Sequence, residues 1–349
     1  MFSTHPLYTE DIDNILKLNI QWNALDGAKV CIIGATGMIG TVIADTIMAL
    51  NERSNACIDL WIMVRDKNQA ITRFRDYIGS KNFHVFVNDV NNGINANISF
   101  DYILHCASNT HPLAYSSDPI GTIMTNIIGT YHVLEYARKI SARRVMFLSS
   151  VEIYGENRGD TESFSENYCG YIDCNTLRAG YPEGKRAGEA LCQAYRAAYG
   201  MNIVIPRISR VYGPTMRMTD SKALSQFIKK AINHEDIVLK STGEQLFSYC
   251  YALSQSSALM YILLIGADGE AYNVAGPDTH VRLKDIAAFL AQQNGKEVRF
   301  EIPNVMEARG YSKAQTAILD TDKLATLGWK AMYSMKDGLE RTIKILSRD

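Results

Sequence analysis

Tyr181 and Lys185 stand four residues apart in the run Tyr181-Pro182-Glu183-Gly184-Lys185-Arg186. Pro182 suits the first turn of a helix, and the spacing of four stacks the phenol and the ammonium on one helical face. A free tyrosine hydroxyl titrates near ~10; a close ammonium favours the phenolate and makes the pair a proton acceptor nearer neutral pH. The same spacing on an exposed helix is only a solvated face, so its meaning depends on the company it keeps. Upstream, Ser149-Ser150-Val151-Glu152-Ile153-Tyr154-Gly155 follows an apolar run. If that segment stays extended, the Ser150 hydroxyl and the Glu152 carboxylate point the same way, because side chains alternate along a strand.

A third group of residues supplies a place for an anion. The apolar run Val30 to Ile33 reads as a buried strand that meets Gly34, Gly37 and Gly40 where a helical pattern begins at Met38. Gly34 permits a tight turn, Gly37 lets backbone N–H groups approach a pyrophosphate, and Gly40 lets the new helix pack on its strand. The spacing G-x-x-G-x-x-G departs by one residue from the dinucleotide fingerprint and lacks the Lys-Ser/Thr of an ATP-binding loop. At the end of the second strand stand Arg65 and Asp66. An acid there holds an adenosine ribose diol and an arginine suits a 2′-phosphate, so NAD and NADP both stay open.

The elements that must position these groups follow from periodicity. Strands at Ile58 to Val64, Phe83 to Val87, Tyr102 to Cys106 and Arg144 to Leu148 alternate with helices at Met38 to Leu50, Pro119 to Ile140 and Tyr181 to about Tyr199. This alternation predicts an α/β fold with a Rossmann-type doubly wound parallel sheet, its ligand at the carboxyl ends of the strands. Residues 29–212, with about 242–274, are expected to form the dinucleotide-binding domain. Residues 213–241 and 275–349 are expected to form a smaller substrate domain, with helices at Lys222 to Ile232 and Leu283 to Gln293 and a strand at Ile237 to Leu239. Residues 1–28 form a helical extension, in which Ile12, Ile15, Leu16 and Ile20 recur at helical spacing.

Composition narrows the classes. A net charge of −1 over 349 residues argues against a nucleic-acid binder that works by phosphate neutralisation. The seven cysteines are odd in number and lie mostly in apolar runs, which favours a reducing, cytoplasmic setting. Cys169 and Cys174 lack the partners of a zinc site, so no metal is expected. The N-terminal stretch is polar and acidic rather than basic and apolar, unlike a signal peptide, and no run reaches membrane-spanning length.

Together the glycine turn, Asp89-Val90, Ser150 and Tyr181-x-x-x-Lys185 resemble the extended short-chain dehydrogenase/reductases that modify nucleotide sugars, over Lys29 to about Ile345. The resemblance implies NAD or NADP and a transient oxidation of a sugar hydroxyl to a 4-keto intermediate. Tyr181 would take the hydroxyl proton, Ser150 would bond the same oxygen, Lys185 would hold the nicotinamide ribose, and Asn126 would organise the site. It also implies cofactor contacts at Thr36, Met38, Ile39, Asp89, Val90, Cys106, Ala107, Ser108 and Ser209, and substrate contacts at Ser108, Tyr115 and Arg210. Homodimerisation would use the Tyr-Lys helix and the long helix before the fifth strand, with Leu191, Tyr195, Ile127, Tyr131 and Leu134 at the seam or else in the core. A place in polysaccharide biosynthesis goes with this family.

Within the family, YPEGKRAGEALCQAY, YGPTMRMTDSKALSQFI and ASNTHPLAYSSDPI look most like UDP-glucuronate decarboxylases, and Ser-x-Glu at 150 and 152 is shared with 4,6-dehydratases. Three positions depart from the pattern. Arg210 stands where a phosphate-binding asparagine is usual and Phe247 where a diphosphate-gripping arginine is usual, which suggests that Arg210 takes over the diphosphate contact; the alternative is that it pairs with a structural carboxylate. Ala317 or its neighbours replace the arginine of the decarboxylases, and Val151 replaces an acid of glucose-type dehydratases. Decarboxylation, dehydration and epimerisation therefore all stay open. An NADPH-dependent keto-sugar reductase and a catalytically silent dinucleotide-binding protein are the alternatives.

Overall fold

The computed structural model describes residues 2–110, 115, 117–278, 281–301 and 314–347. Five parallel strands open the fold: β1 (Lys29–Ile33), β2 (Asp59–Val64), β3 (Phe83–Val87), β4 (Tyr102–His105) and β5 (Arg144–Phe147). The short β6 (Ser149–Ser150) and then β7 (Ile203–Ile208) continue the sheet. Further along come β8 (Arg210–Tyr212), β9 (Ile237–Leu239), β10 (Leu246–Phe247), β11 (Tyr249–Tyr251) and β12 (Ala271–Val274). The main sheet runs β12-β7-β5-β4-β1-β2-β3, all parallel, with β6 beside β7. Strand order reverses between β1 and β4, the crevice where open α/β sheets bind ligands.

Side chains alternate across the sheet and build two cores. Val30 and Ile32 face one layer with Leu60, Ile62 and Leu104, while Cys31 and Ile33 face the other with Ile103, Val145 and Phe147. On the first face lies α2 (Met38–Ser54); the expected helix runs one turn longer, ending at the left-handed Asn55. The α1 helix (Pro6–Leu16) covers only part of the expected 1–28 extension, and α3 (Lys67–Arg73) follows β2. Rather than lying only on the main domain, α1 bridges: Tyr8 donates to Asp45 of α2, and Asp11 accepts from Tyr251 and pairs with Arg341.

The helix expected from Pro119 to Ile140 is interrupted. α4 (Pro119–Met124) passes through a π-helical turn at Thr125–Gly129 into α5 (Thr130–Lys139). Such one-turn widenings often mark functional sites, and this one carries Asn126. α6 (Gly180–Tyr199) is the Tyr-Lys helix, closed by left-handed Gly200. Leu134 and Tyr195, offered as a dimer seam, belong to the core under the sheet, whereas Tyr131 is exposed. α7 (Ala223–Ile232) packs with the short strands β9 to β11 in a separate core. No helix among the described residues is long and apolar enough to cross a membrane.

Candidate active site

The glycine turn has the space that a dinucleotide needs. Gly34 has φ +83°, and a Cβ there would lie 2.8 Å from the Ala107 Cα, so both conformation and close approach require glycine. At Gly40 a Cβ would meet the Ala35 Cα at 2.7 Å, which is how helix and strand pack closely. Gly37 is different: a Cβ would meet only the Gly34 carbonyl, at 3.3 Å, and the side beyond is open. Gly37 caps α2 with no side-chain hydrogen bond, so the first N–H groups of the helix are left for an anion. The residues present fit a pyrophosphate.

The other residues expected at the cofactor have the following surroundings. Cys106 donates its N–H to Ile33, and Ser108 Oγ donates to Asn126 Oδ1 at 2.9 Å. Thr36 accepts from Arg217, the Met38 carbonyl accepts from Thr215, and the Ile39 side chain is buried in the core. Asp89 accepts from the Asn91 N–H, and the Val90 carbonyl is 2.6 Å from His132 Nδ1. Ser209 leaves its buried Oγ without a partner among the described residues.

Asn126 joins this shelf to α6. Its Nδ2 donates to the Thr122 carbonyl at 2.8 Å, and a Cβ on Gly184 would collide with its Cβ at 2.9 Å. Gly184 therefore lets α6 pack closely on the π-helical turn, with Lys185 at the carboxyl end of β5. Lys185 is 2% exposed; its Nζ donates to the Leu148 carbonyl at 2.7 Å and lies 4.8 Å from the centre of the Phe147 ring. Burial lowers its pKa to about 8.

Tyr181 departs from the expectation that its neighbouring ammonium would lower its pKa. Burial pushes the phenol up to about 12; the Ser150 hydroxyl favours ionisation, Glu152 opposes it, and Arg178 favours it. Ser150 and Glu152 are also arranged differently from the extended reading. Val151–Tyr154 forms a 3₁₀ turn capped by Ser150, whose Oγ accepts the Glu152 N–H at 3.2 Å. The turn, not strand alternation, keeps hydroxyl and carboxylate together.

Two arginines converge on Glu152. Arg178 Nη2 donates to Oε2 at 2.8 Å, and Arg210 Nη2 lies 3.6 Å from Oε1. Arg210 also lies 3.5 Å from the centre of the Phe247 ring, and Arg178 lies 4.6 Å from that of Tyr115, which in turn tilts against Tyr181 at 5.3 Å. Arg210 thus pairs with a carboxylate, beside Phe247 itself, the arrangement expected if it is not the diphosphate contact. The Nη1 atoms of Arg178 and of Arg210 are buried and make no hydrogen bond among the described residues. Arg178 was not singled out in the sequence; its place three residues before Tyr181, one helical turn, was the available signal. His111 to Ala114 and Ser116 of the expected substrate loop lie outside the described residues.

Beneath these groups a second ion pair is closed on itself. Arg207 grips Glu189 through Nε and Nη2 at 3.0 and 2.7 Å, while its Nη1 donates to the Tyr154 hydroxyl and the Glu166 carbonyl. Glu189 also accepts from Ser149 at 2.5 Å, and Tyr154 donates to Asn273 at 2.6 Å. This network fixes the β6 end on which Ser150 stands.

The family model of the NAD dependent epimerase/dehydratase family matches residues 30–275, more than half of the chain. UDP-glucuronic acid decarboxylase 1 of Xenopus tropicalis is 28% identical over 326 residues, covering 93% of this chain and 73% of that protein. UDP-glucuronic acid decarboxylase 5 of Arabidopsis thaliana is 29% identical over 313 residues, covering 89% and 87%. Among solved structures, UDP-glucuronic acid 4-epimerase from Bacillus cereus, in complex with UDP-glucuronic acid and NAD, superposes with TM-score 0.76 at 21% identity, covering 91% of this chain and 98% of that one. dTDP-glucose 4,6-dehydratase from Bacillus anthracis, in complex with NAD, does so with TM-score 0.76 at 18% identity, covering 91% and 96%.

Proposed function

The chain belongs to the NAD dependent epimerase/dehydratase family, and from that premise we propose that it modifies a nucleoside-diphosphate sugar through a transient 4-keto intermediate. In this reading residues 29–212, with 242–274, hold the dinucleotide, residues 213–241 and 275–349 hold the sugar nucleotide, and residues 1–28 brace the two. The observation that carries it is the convergence of Tyr181, Ser150 and buried Lys185 beside the glycine turn. Gly34, Gly37 and Gly40 would hold the pyrophosphate and Lys185 the nicotinamide ribose. The bound dinucleotide supplies a hydride acceptor that returns what it takes, so no outside oxidant is consumed. Tyr181 Oη removes the proton of the sugar C4 hydroxyl, and Ser150 Oγ holds that oxygen. Tyr181 is buried, and the Ser150 hydroxyl and the positive charge of Arg178 offset part of the cost of its phenolate.

One observation favours a sugar that carries a carboxylate. Two buried guanidinium Nη1 atoms, without hydrogen-bond partners among the described residues, stand beside Glu152. Arginine forks suit carboxylate oxygens, so Arg178 and Arg210 would receive a uronate and do the work of the arginine missing near Ala317. Oxidation at C4 makes a uronate a β-keto acid. Its C5–C6 bond then breaks, CO2 leaves, the electron pair moves into the C4 carbonyl as an enolate, and C5 takes a proton. A cytoplasmic homodimer, formed through α5 and α6 with Tyr131 exposed, completes the proposal.

The test is proton NMR of the purified protein with a panel of nucleoside-diphosphate hexoses and hexuronates. Conversion of a uronate without added reductant is expected, and Tyr181→Phe should lower turnover by ~10² to 10⁴. Turnover that Tyr181→Phe leaves intact would remove the phenol from the mechanism. Stoichiometric consumption of NADPH would instead identify a reductase, and binding without turnover a silent dinucleotide-binding protein.

A further inference from the structure

We propose that the adenosine-ribose end of the dinucleotide site takes a 2′-phosphate, so that NADP binds there in preference to NAD, held by Arg65 and Arg217. The inference rests on the dinucleotide reading above and concerns one end of that site.

Register places Arg65 first. β1 and β2 pair in parallel with Ile33 opposite Met63, which sets Val64 beside Gly34 and Arg65 level with Ala35 of the glycine turn. Arg65 is thus the first residue beyond the strand, the position from which an acid reaches the ribose diol in NAD-binding folds. It is exposed and makes no hydrogen bond or ion pair among the described residues.

Asp66, one residue on, is turned to a different task. Its backbone is extended, with φ −116° and ψ 110°, so its side chain points away from that of Arg65. Its Oδ1 accepts the N–H groups of Asn68 and Gln69 at 2.8 and 3.1 Å and so caps α3. Swinging the carboxylate to a ribose would uncap that helix.

Arg217 brings a second guanidinium from the far side. Its Nη2 donates to Thr36 Oγ1 at 3.0 Å and to Gln69 Oε1 at 2.8 Å, tying the glycine turn to α3 across the mouth where Arg65 emerges. Those bonds all use Nη2; among the described residues Nη1 and Nε keep their donors. Desolvation lowers the Arg217 pKa and the charge of Arg65 lowers it further, so the two guanidiniums feel one another. The acid that offsets this, Asp220, is bonded to Lys222. Two neighbouring cations with open donors, their nearby acids Asp66 and Asp220 already engaged at the α3 cap and with Lys222, are an electrostatic cost that a phosphate dianion would relieve, and a planar fork suits its oxygens.

Isothermal titration of the full chain with NADP+, NAD+, 2′,5′-ADP and 5′-AMP tests this. Each 2′-phosphorylated ligand should bind about ten- to hundred-fold more tightly than its partner, as expected for hydrogen bonds to a charged group. Arg65→Ala should erase most of that difference and Arg217→Gln part of it, with Arg65→Gln as a second variant should the alanine protein fail to fold. Equal or tighter binding of NAD+, or a loss in Arg65→Ala that is the same for both dinucleotides, would overturn the 2′-phosphate site and leave the proposed function standing. Binding of neither dinucleotide would overturn both.

Discussion

Arg207 and Arg210 lie three residues apart, and each faces a glutamate, yet the two assemblies are built to different ends. The Arg207–Glu189 pair is saturated: every guanidinium nitrogen has a partner, both carboxylate oxygens are used, and the side chains are only 12% and 13% exposed. The Glu152 assembly has two cations for one carboxylate, one of them at 3.6 Å, and each cation keeps a buried nitrogen unmatched among the described residues. A buried pair with all its hydrogen bonds made is a joint, costly to break from one side. A buried cation with donors left over is held ready for something else to complete it. The contrast separates what holds Ser150 in place from what meets the substrate.

The largest effect that would sharpen the contrast is on the joint. Arg207→Met leaves Glu189 buried without its cation and should cost ~3 to 5 kcal/mol of stability, read by urea unfolding. A loss below ~1 kcal/mol would mean that the pair is no joint at all. Next comes Arg210→Gln, expected to lower kcat/KM on a nucleoside-diphosphate uronate by ~1.5 to 3 kcal/mol, the worth of a hydrogen bond to a charged group, with little change in melting temperature. A fall in melting temperature as large as that of Arg207→Met, with uronate kinetics intact, would make the two assemblies alike.

Lys185 tests the contrast with a buried cation bonded to a carbonyl instead of a carboxylate. Its pKa is lowered from 10.5 to about 8 in the folded protein. Between those values the unfolded chain holds a proton that the folded one lacks, so stability should rise with pH across that window, at up to ~1.4 kcal/mol per unit. Lys185→Met should lack this rise in urea titrations at pH 8 and 10; parallel curves for the two proteins would show that the ammonium is not desolvated. The smallest effect is at Phe247→Leu, which removes the aromatic ring under Arg210. It should cost ~0.5 to 1 kcal/mol in uronate binding and leave binding of a neutral hexose nucleotide unchanged. An equal loss on both ligands would assign Phe247 to the nucleotide instead.

The parts of this protein legible in its sequence are those set by near neighbours along the chain. The strand-turn-helix at Val30 to Gly40, the alternation that gives the parallel sheet, and the Tyr181–Lys185 helix all follow from local periodicity and backbone conformation. Distance along the chain is where that reading stopped. Glu152 meets Arg178 and Arg210 only because the segments after β6, before α6 and in β8 come together in space, and no spacing in the sequence encodes that meeting. The 3₁₀ turn after Ser150, the π turn at Asn126 and the burial that pushes the Tyr181 pKa up likewise arise from what packs around them. Local sequence determined the elements and the residue types they carry; tertiary closure decided which charges face one another and how far from water they lie, because Coulomb energy and desolvation depend on distance in space.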